Sequence, residues 1–339
     1  MTRKRKYKKR GKSPDYAGNA GFIATIAIAF AGIFVGSFSA YLGQKGATAT
    51  ATMAANPVRT AKKVDDRAQI DREKLIARIL AGEAPPERLT PPKLEKRRAS
   101  AQPMPKIIII IDDMGIDRRA TERAIELPGP ITFSFLPYGK HIADLTDAAH
   151  RRGAEIMLHL PMEPKGAADP GPHALLTGMT GAEFLKNLEW NLSRFDGYVG
   201  VNNHMGSKLT ADIAAMKTLL SYLNHKDVFF VDSVTDSDTA VRKAAREIGV
   251  DVFSRDVFLD DTVGDRTEVK KQLVLAERIA RETGYVVAIG HPRKETLDVL
   301  GPWLTTAEAR GFELAYVSAL ETINEPISMK IAGGPTIRF

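Results

Sequence analysis

Apolar and polar positions divide the chain into stretches of different character. Residues 21–42 hold no charged side chain and consist mainly of Ala, Ile, Phe, Val and Gly. As a helix rising about 1.5 Å per residue they would span roughly 33 Å, enough for a bilayer core. The pattern is then lost: Ala47–Ala55 is an Ala/Thr tract, and Pro85-Pro86 and Pro91-Pro92 stiffen the chain. Between these, Asp65–Ala81 predicts one helix with Ile70, Leu75, Ile76, Ile79 and Leu80 on or near one face, ending at Gly82. The stretch 43–103 reads as a tether. From Lys106 onward short β-branched runs alternate with helical patterns. The runs are Ile107–Ile111, Ile131–Phe135, Glu155–Leu158, Tyr198–Val201, Val228–Val231, Val252–Ser254, Val286–Ile289 and Leu314–Val317. Ala182–Arg194, Ala211–Leu223, Thr239–Ile248 and Thr267–Thr283 lie between them as helices. Near-continuous apolar strands imply burial on both faces, and their alternation with helices implies a parallel sheet. A single (β/α) barrel fits this. A doubly wound open sheet is the alternative, but no glycine-rich first turn supports it.

Charge changes the picture at the N-terminus only. Eight of the first twelve residues are Lys or Arg, whereas Met104 to the C-terminus carries 27 basic and 33 acidic residues, a net of −6. The formal charge of +7 is therefore an end effect, and a nucleic-acid surface, which needs clustered cations, is not expected. Cations abutting an apolar span predict a single-pass anchor in the inner (plasma) membrane, with the remainder outside the cytoplasm or periplasmic. A cleaved signal peptide is the rival, since Phe38-Ser39-Ala40 offers small residues, though such cores usually run only 7–15 residues. The expected division is a basic cytoplasmic segment 1–20, an anchor 21–42, a linker 43–103, a folded domain 104–320 and a loose tail 321–339. The absence of Cys removes thiol nucleophiles, disulfides and thiolate metal sites.

Candidate chemistry gathers where the strands end. Asp112-Asp113, His159, Asn202-Asn203-His204, Asp232-Ser233, Arg255 and His291-Pro292 each follow one of the apolar runs, and in a β/α barrel such positions converge on one mouth. Singly, each has an ordinary reading as a helix cap or rim group. Jointly, several His with paired Asp predict a metal-assisted hydrolytic site. Successive strand residues point to opposite faces, so Asp112 and Asp113 are expected to divide the work, one binding a divalent ion and the other accepting a proton. Neutral His with carboxylate favours Zn²⁺ or a similar first-row ion.

These residues carry a resemblance. Ile109–Gly115, Ile131–Pro137, Gly153–His159, His159–Pro164, Asn202–Ser207, Phe229–Ser233 and Ile289–Pro292 resemble, in order, the motifs of the NodB-homology polysaccharide deacetylases, in their divergent polysaccharide deacetylase branch. The resemblance covers about residues 106–320. It implies a deformed (β/α)7 barrel, Asp112 as general base, Asp113 and His159 as metal ligands, and His291 as general acid. The superfamily's second zinc histidine is Glu163 here, and its arginine-proline-tyrosine motif is Asn203-His204-Met205. The missing ligand is therefore expected from His204 or from Glu163.

The expected protein is a membrane-anchored hydrolase of non-peptide C–N bonds, removing N-acetyl groups from a polysaccharide or peptidoglycan-like substrate of the envelope. Asp232 is expected to orient His291 or Arg255. Arg255, Asn203 and Tyr138 are expected to bind substrate, with Pro170-Gly171-Pro172 beside Tyr138. A catalytically silent glycan-binding or regulatory protein on the same fold is the alternative. A glycoside hydrolase needs carboxylates about 5–9.5 Å apart across a sugar, which adjacent Asp112 and Asp113 suit poorly.

Overall fold

The computed structural model describes residues 66–81 and 103–323, with a short antiparallel pair, Ser328–Met329 and Ile337–Arg338, inside the expected tail. The apolar run 21–42, the cationic residues before it and most of the linker lie outside the described residues. Among the described residues no helix is long and apolar enough to cross a membrane.

After helix α1 (Asp66–Leu80) the chain alternates strand and helix: β1 (Lys106–Met114), α2 (Arg118–Ile125), β2 (Thr132–Phe135), α3 (Ile142–Arg151), β3 (Glu155–Met162), α4 (Gly181–Leu192), β4 (Gly200–Met205) and α5 (Ile213–His225). It continues through β5 (Phe229–Asp232), α6 (Val241–Ile248), β6 (Val252–Ser254), β7 (Val257–Phe258), α7 (Arg266–Thr283), β8 (Tyr285–Gly290), α8 (Lys294–Leu304), β9 (Glu313–Ala315) and α9 (Ala319–Ile323). Local chemistry sets the helix starts. Asp117, Asp212 and Asp265 accept the first free N–H groups of α2, α5 and α7, and Thr180 with Glu183 forms a reciprocal capping box on α4.

All strand pairings of the main sheet are parallel, in the order β6-β5-β4-β3-β2-β1-β8-β7. Neighbours in space are neighbours in sequence apart from β1 with β8 and with β9, so the sheet winds in one sense and curls, as in a (β/α) barrel. The doubly wound alternative is excluded by this order. Strand β9 lies against Lys106–Ile108, below the point where β2 joins at Ile110.

The two ends of the sheet meet in one stretch of chain. Strand β6 pairs with β5, and two residues later β7 pairs with β8 on the other side. The link is bonded both ways: Arg255 N donates to Asp232 O (2.9 Å) and Asp256 N to Val287 O (2.9 Å).

Alternation along the strands explains the apolar runs. Ile107, Ile109 and Ile111 pack outward under the helices, and Ile108 and Ile110 pack inward with Met157, Val231, Phe253, Val287 and Ile289. Each of the five isoleucines is fully buried, at about 1.5–3 kcal/mol apiece. One step further along the inward row the residues turn polar: Ser134, His159, Asn202, Ser233 and His291 occupy the same face.

Helix α1 departs from the tether reading. Ile76 is buried and Leu75 packs beside it, and Arg72 forms a bidentate pair with Asp256 (3.1 and 2.9 Å) with its guanidinium 3.7 Å from the Tyr285 ring centroid. Arg242 pairs with Glu73. The helix is part of the domain's packing, while Leu80 at its end is exposed.

Candidate active site

The inward row brings Asp112 to the mouth by simple alternation. Asp113 arrives there by breaking it. Its backbone is left-handed (φ 56°), the register with β2 shifts between Ile111 and Met114, and Gly115 follows at φ 95°. Such an irregularity at a strand end re-aims a side chain. Both carboxylates therefore face one imidazole, His159 Nε2, which lies 3.7 Å from Asp112 Oδ2 and 3.4 Å from Asp113 Oδ1. The expectation that the two aspartates point to opposite faces is corrected by this kink.

His204, on the inward row of β4, brings Nδ1 to 2.9 Å from Asp113 Oδ1, and its ring stands edge-on to His159 with centroids 5.0 Å apart. His159 is not past its strand but inside it, because β3 runs on to Met162. Its Nδ1 lies 2.9 Å from Asn202 Oδ1. Asn202 Nδ2 donates to Asp112 Oδ1 (2.8 Å) and to Ser233 Oγ (3.1 Å), and Ser134 Oγ donates to Asn202 Oδ1.

Across the mouth, His291 Nε2 is 3.8 Å from Asp113 Oδ2. Its Nδ1 sits 2.9 Å from Asp260 Oδ1, and Asp260 Oδ2 accepts from His291 N (2.8 Å) and Thr296 Oγ1 (2.6 Å). Burial alone would lower the His291 pKa, but the bond to Asp260 and the charges of Asp260, Asp113 and Asp112 raise it. Asp112 is raised chiefly by burial, against the pull of His159, His291 and the Asn202 bond. For Asp113 burial also pushes upward, but the contacts with His159 and His204 win and hold it well below the usual carboxylate range.

Asp260 holds His291, one of the two partners expected for Asp232, while the charge of Asp232 acts on Arg255, the other. The Asp232 carboxylate instead accepts from Val234 N (2.8 Å) and Thr239 Oγ1 (2.8 Å), shaping the turn after β5 on the outer side of the sheet. Arg255 donates through Nε to Ser233 O and through Nη2 to Val234 O, both at 2.7 Å. Asn203 accepts from Ser233 N and donates to Met205 O, both at 2.8 Å, which ties it to the β4–β5 junction. Glu163 is outside the cluster: Lys208 Nζ (2.6 Å) and the N–H and hydroxyl of Thr177 (2.6 Å each) occupy its carboxylate. Tyr138 does sit by the mouth. Burial, then the charges of Asp113 and Asp169, push its pKa up to about 12, and its hydroxyl donates to Pro170 O (3.3 Å).

The sequence reading missed Asp260 because it ended the sixth strand at Ser254. The strand resumes as β7, so its polar end is Asp260-Asp261, and the apolar run Val257-Phe258-Leu259 was the available signal.

Asp113, His159 and His204 offer ligand-type atoms that all lie within 4.8 Å of one another. Asp113 Oδ1 is buried and meets no donor in hydrogen-bonding geometry, despite the two nitrogens nearby. A buried oxygen left without a hydrogen bond costs about 1–3 kcal/mol, a deficit that an ion between these atoms would remove. One carboxylate and two imidazoles fit Zn²⁺ or a similar ion. The residues present thus fit a divalent metal.

A sequence profile described as divergent polysaccharide deacetylase matches residues 109–321. The chain belongs to the divergent polysaccharide deacetylase family. It is 32% identical over 221 residues to the uncharacterized protein YibQ of Escherichia coli K12, spanning 65% of this chain and 68% of that one. An uncharacterized protein of Haemophilus influenzae is 33% identical over 195 residues, spanning 58% and 69%. The crystal structure of an uncharacterized protein from Agrobacterium tumefaciens C58 superimposes with a TM-score of 0.63 at 27% identity, over 66% of this chain and 92% of that one. In this member of the family the kinked Asp112-Asp113 pair and the His204 position meet at one mouth, at the C-terminal ends of a curled parallel sheet.

Proposed function

We propose that the protein is a metal-dependent deacetylase that removes N-acetyl groups from an envelope or exported glycan. The observation that carries this reading is the triplet of buried His159 with half-buried Asp113 and His204, flanked by Asp112 on one side and His291 on the other. With β6 and β7 taken as halves of one broken strand, the sheet is a deformed (β/α)7 barrel with this triplet at its mouth.

Asp113, His159 and His204 would hold the ion, which when bound supplies a Lewis acid for an amide carbonyl. Asp112, raised toward the working pH by burial and fixed by Asn202, accepts a proton from the attacking water. His291, kept protonated by Asp260, gives its Nε2 proton to the departing amine. Tyr138 and the Pro170–Pro172 turn form one wall for the sugar. The N-terminal run 21–42 behind its cations is read as the anchor in the inner membrane, with the domain on the outer side. The test is acetate release from acetylated glycan oligomers and peptidoglycan, measured together with Zn²⁺ content. Metal-loaded protein that releases no acetate from any of them would overturn the enzymatic reading and favour the glycan-binding alternative.

A further inference from the structure

We infer that Asn202 is the positioning residue of this site, its one side-chain amide selecting the tautomer of His159 and fixing Asp112 at the same time. Asn202 is fully buried and all four of its side-chain hydrogen-bonding positions are used: two donors toward Asp112 and Ser233, two acceptor positions toward Ser134 and His159. The amide has one sensible orientation. Asp112 Oδ1 at 2.8 Å is a carboxylate oxygen, so the group facing it is the NH₂ and not the carbonyl. The carbonyl oxygen is then the atom 2.9 Å from His159 Nδ1, and because an amide oxygen only accepts, Nδ1 carries the hydrogen.

The consequence falls on the other ring nitrogen. In the neutral imidazole Nε2 is left with its lone pair, and Nε2 is the atom turned to Asp113 and Asp112. Imidazole ligands to metals commonly have their second nitrogen fixed by such a partner, and losing it costs about 10–100-fold in affinity. The partner here also holds the neighbouring carboxylate. The metal position and the proton-accepting position are thus tied to one residue, and substitutions can separate them. Asn202→Leu keeps the size and removes both functions. Asn202→Asp keeps an oxygen for His159 and Ser134 but loses the donor to Asp112.

The tautomer argument stands on geometry, and only the naming of His159 as ligand and Asp112 as base rests on the proposed hydrolase. The experiment uses the full chain labelled with ¹⁵N at histidine and free of metal, at a pH where His159 is neutral, with its signals assigned by their loss in His159→Gln. Long-range ¹H–¹⁵N spectra are expected to show Nδ1-protonated His159 in the parent and in Asn202→Asp. In Asn202→Leu the population shifts toward the Nε2-protonated form, and Zn²⁺ affinity, read by competition with a chromophoric chelator, falls about 10–100-fold. Asn202→Asp holds Zn²⁺ close to the parent while its turnover drops. Nε2-protonated His159 in the parent overturns the inference, as does a folded Asn202→Leu with an unchanged tautomer. If Asn202→Leu fails to fold, the parent and Asn202→Asp still decide it. A chain with the expected tautomers that releases no acetate would sink the hydrolase reading and leave this one standing.

Discussion

Replacing Asp260 by Asn tests the acid half of the site through a group that touches none of the proposed metal ligands. Asp260 is buried, and its two oxygens face different donors: Oδ1 meets His291 Nδ1, Oδ2 meets His291 N and Thr296 Oγ1. An asparagine has one oxygen to offer. The backbone N–H can only donate, so the oxygen stays on that side and the NH₂ turns to His291 Nδ1. A protonated His291 then meets a donor with a donor. The charge-assisted bond lost is worth about 1.5–3 kcal/mol, which at 1.36 kcal/mol per tenfold removes about 10–150-fold from the protonated fraction of His291 wherever protonation limits the rate. Acetate release as kcat/KM against pH is the assay. At neutral and alkaline pH Asp260→Asn should fall by about that factor, with its alkaline limb displaced to lower pH and its Zn²⁺ content equal to the parent's. Stability should follow the same pair. The raised His291 contributes fully below its ordinary 6.5 and loses its contribution as pH rises through the folded value. The depressed Asp260 contributes above 3.8 and loses its share as pH falls through its own folded value. Urea unfolding should therefore separate parent and variant more at pH 5 to 6 than at pH 9. An Asp260→Asn enzyme with the parent's alkaline limb would refute the pairing of Asp260 with a protonated His291.

Other substitutions probe the neighbouring parts. Asp112→Asn should retain Zn²⁺ and lose about 10²–10⁴ in turnover, whereas Asp113→Asn should lose the ion; elemental analysis beside the acetate assay reports both, and equal turnover for the parent and Asp112→Asn would rule Asp112 out as the base. Glu163→Ala should leave Zn²⁺ affinity unchanged, because its carboxylate serves Thr177 and Lys208, and limited proteolysis should show the 163–180 loop cut faster. Gly171→Ala should cost about 1–2 kcal/mol in urea unfolding and raise KM, since Gly171 has φ 94° and a Cβ there would lie 2.7 Å from the Tyr138 ring. Protease added to intact spheroplasts should digest the 104–320 domain, and its protection would refute the proposed topology.

Much of the scaffold could be read from the chain because its pattern is physically forced. A parallel strand covered on both faces has no polar side, so Ile107–Ile111 announces itself, and the inward row then turns polar at the mouth. The mouth itself was legible only to the level of residue type. Alternation predicts Asp112 inward and Asp113 outward, and a left-handed residue at position 113 undoes the second half of that prediction. Nothing in the identity of an aspartate distinguishes a kinked strand end from a straight one. Asp260 escaped because a strand broken after three residues and resumed for two carries too few apolar positions to register. Asp232 drew attention because it ends a regular strand, although its side chain falls on the other face.

Helix α1 shows the same limit from the opposite side. Its apolar stripe says only that some surface must cover it, and a chain reader has no means of choosing between a partner and the protein's own domain. The choice is made by Arg72 and Asp256, which are 184 residues apart and acquire meaning only where the two ends of the sheet meet. Asp256 lies in the two-residue link between β6 and β7, and its Oδ2 accepts from Val287 N as well as from Arg72. A carboxylate with 7% of its side chain exposed needs a counter-charge in contact, beyond the charges of Arg242 and Arg255 that also act on it. Arg72 supplies it, stacked on Tyr285 and donating to the Tyr285 carbonyl (2.9 Å). The helix read as part of a tether is thus tied to the same seam that carries Arg255 on one side and leads to Asp260 on the other, so cutting the chain after residue 81 removes a support of that seam.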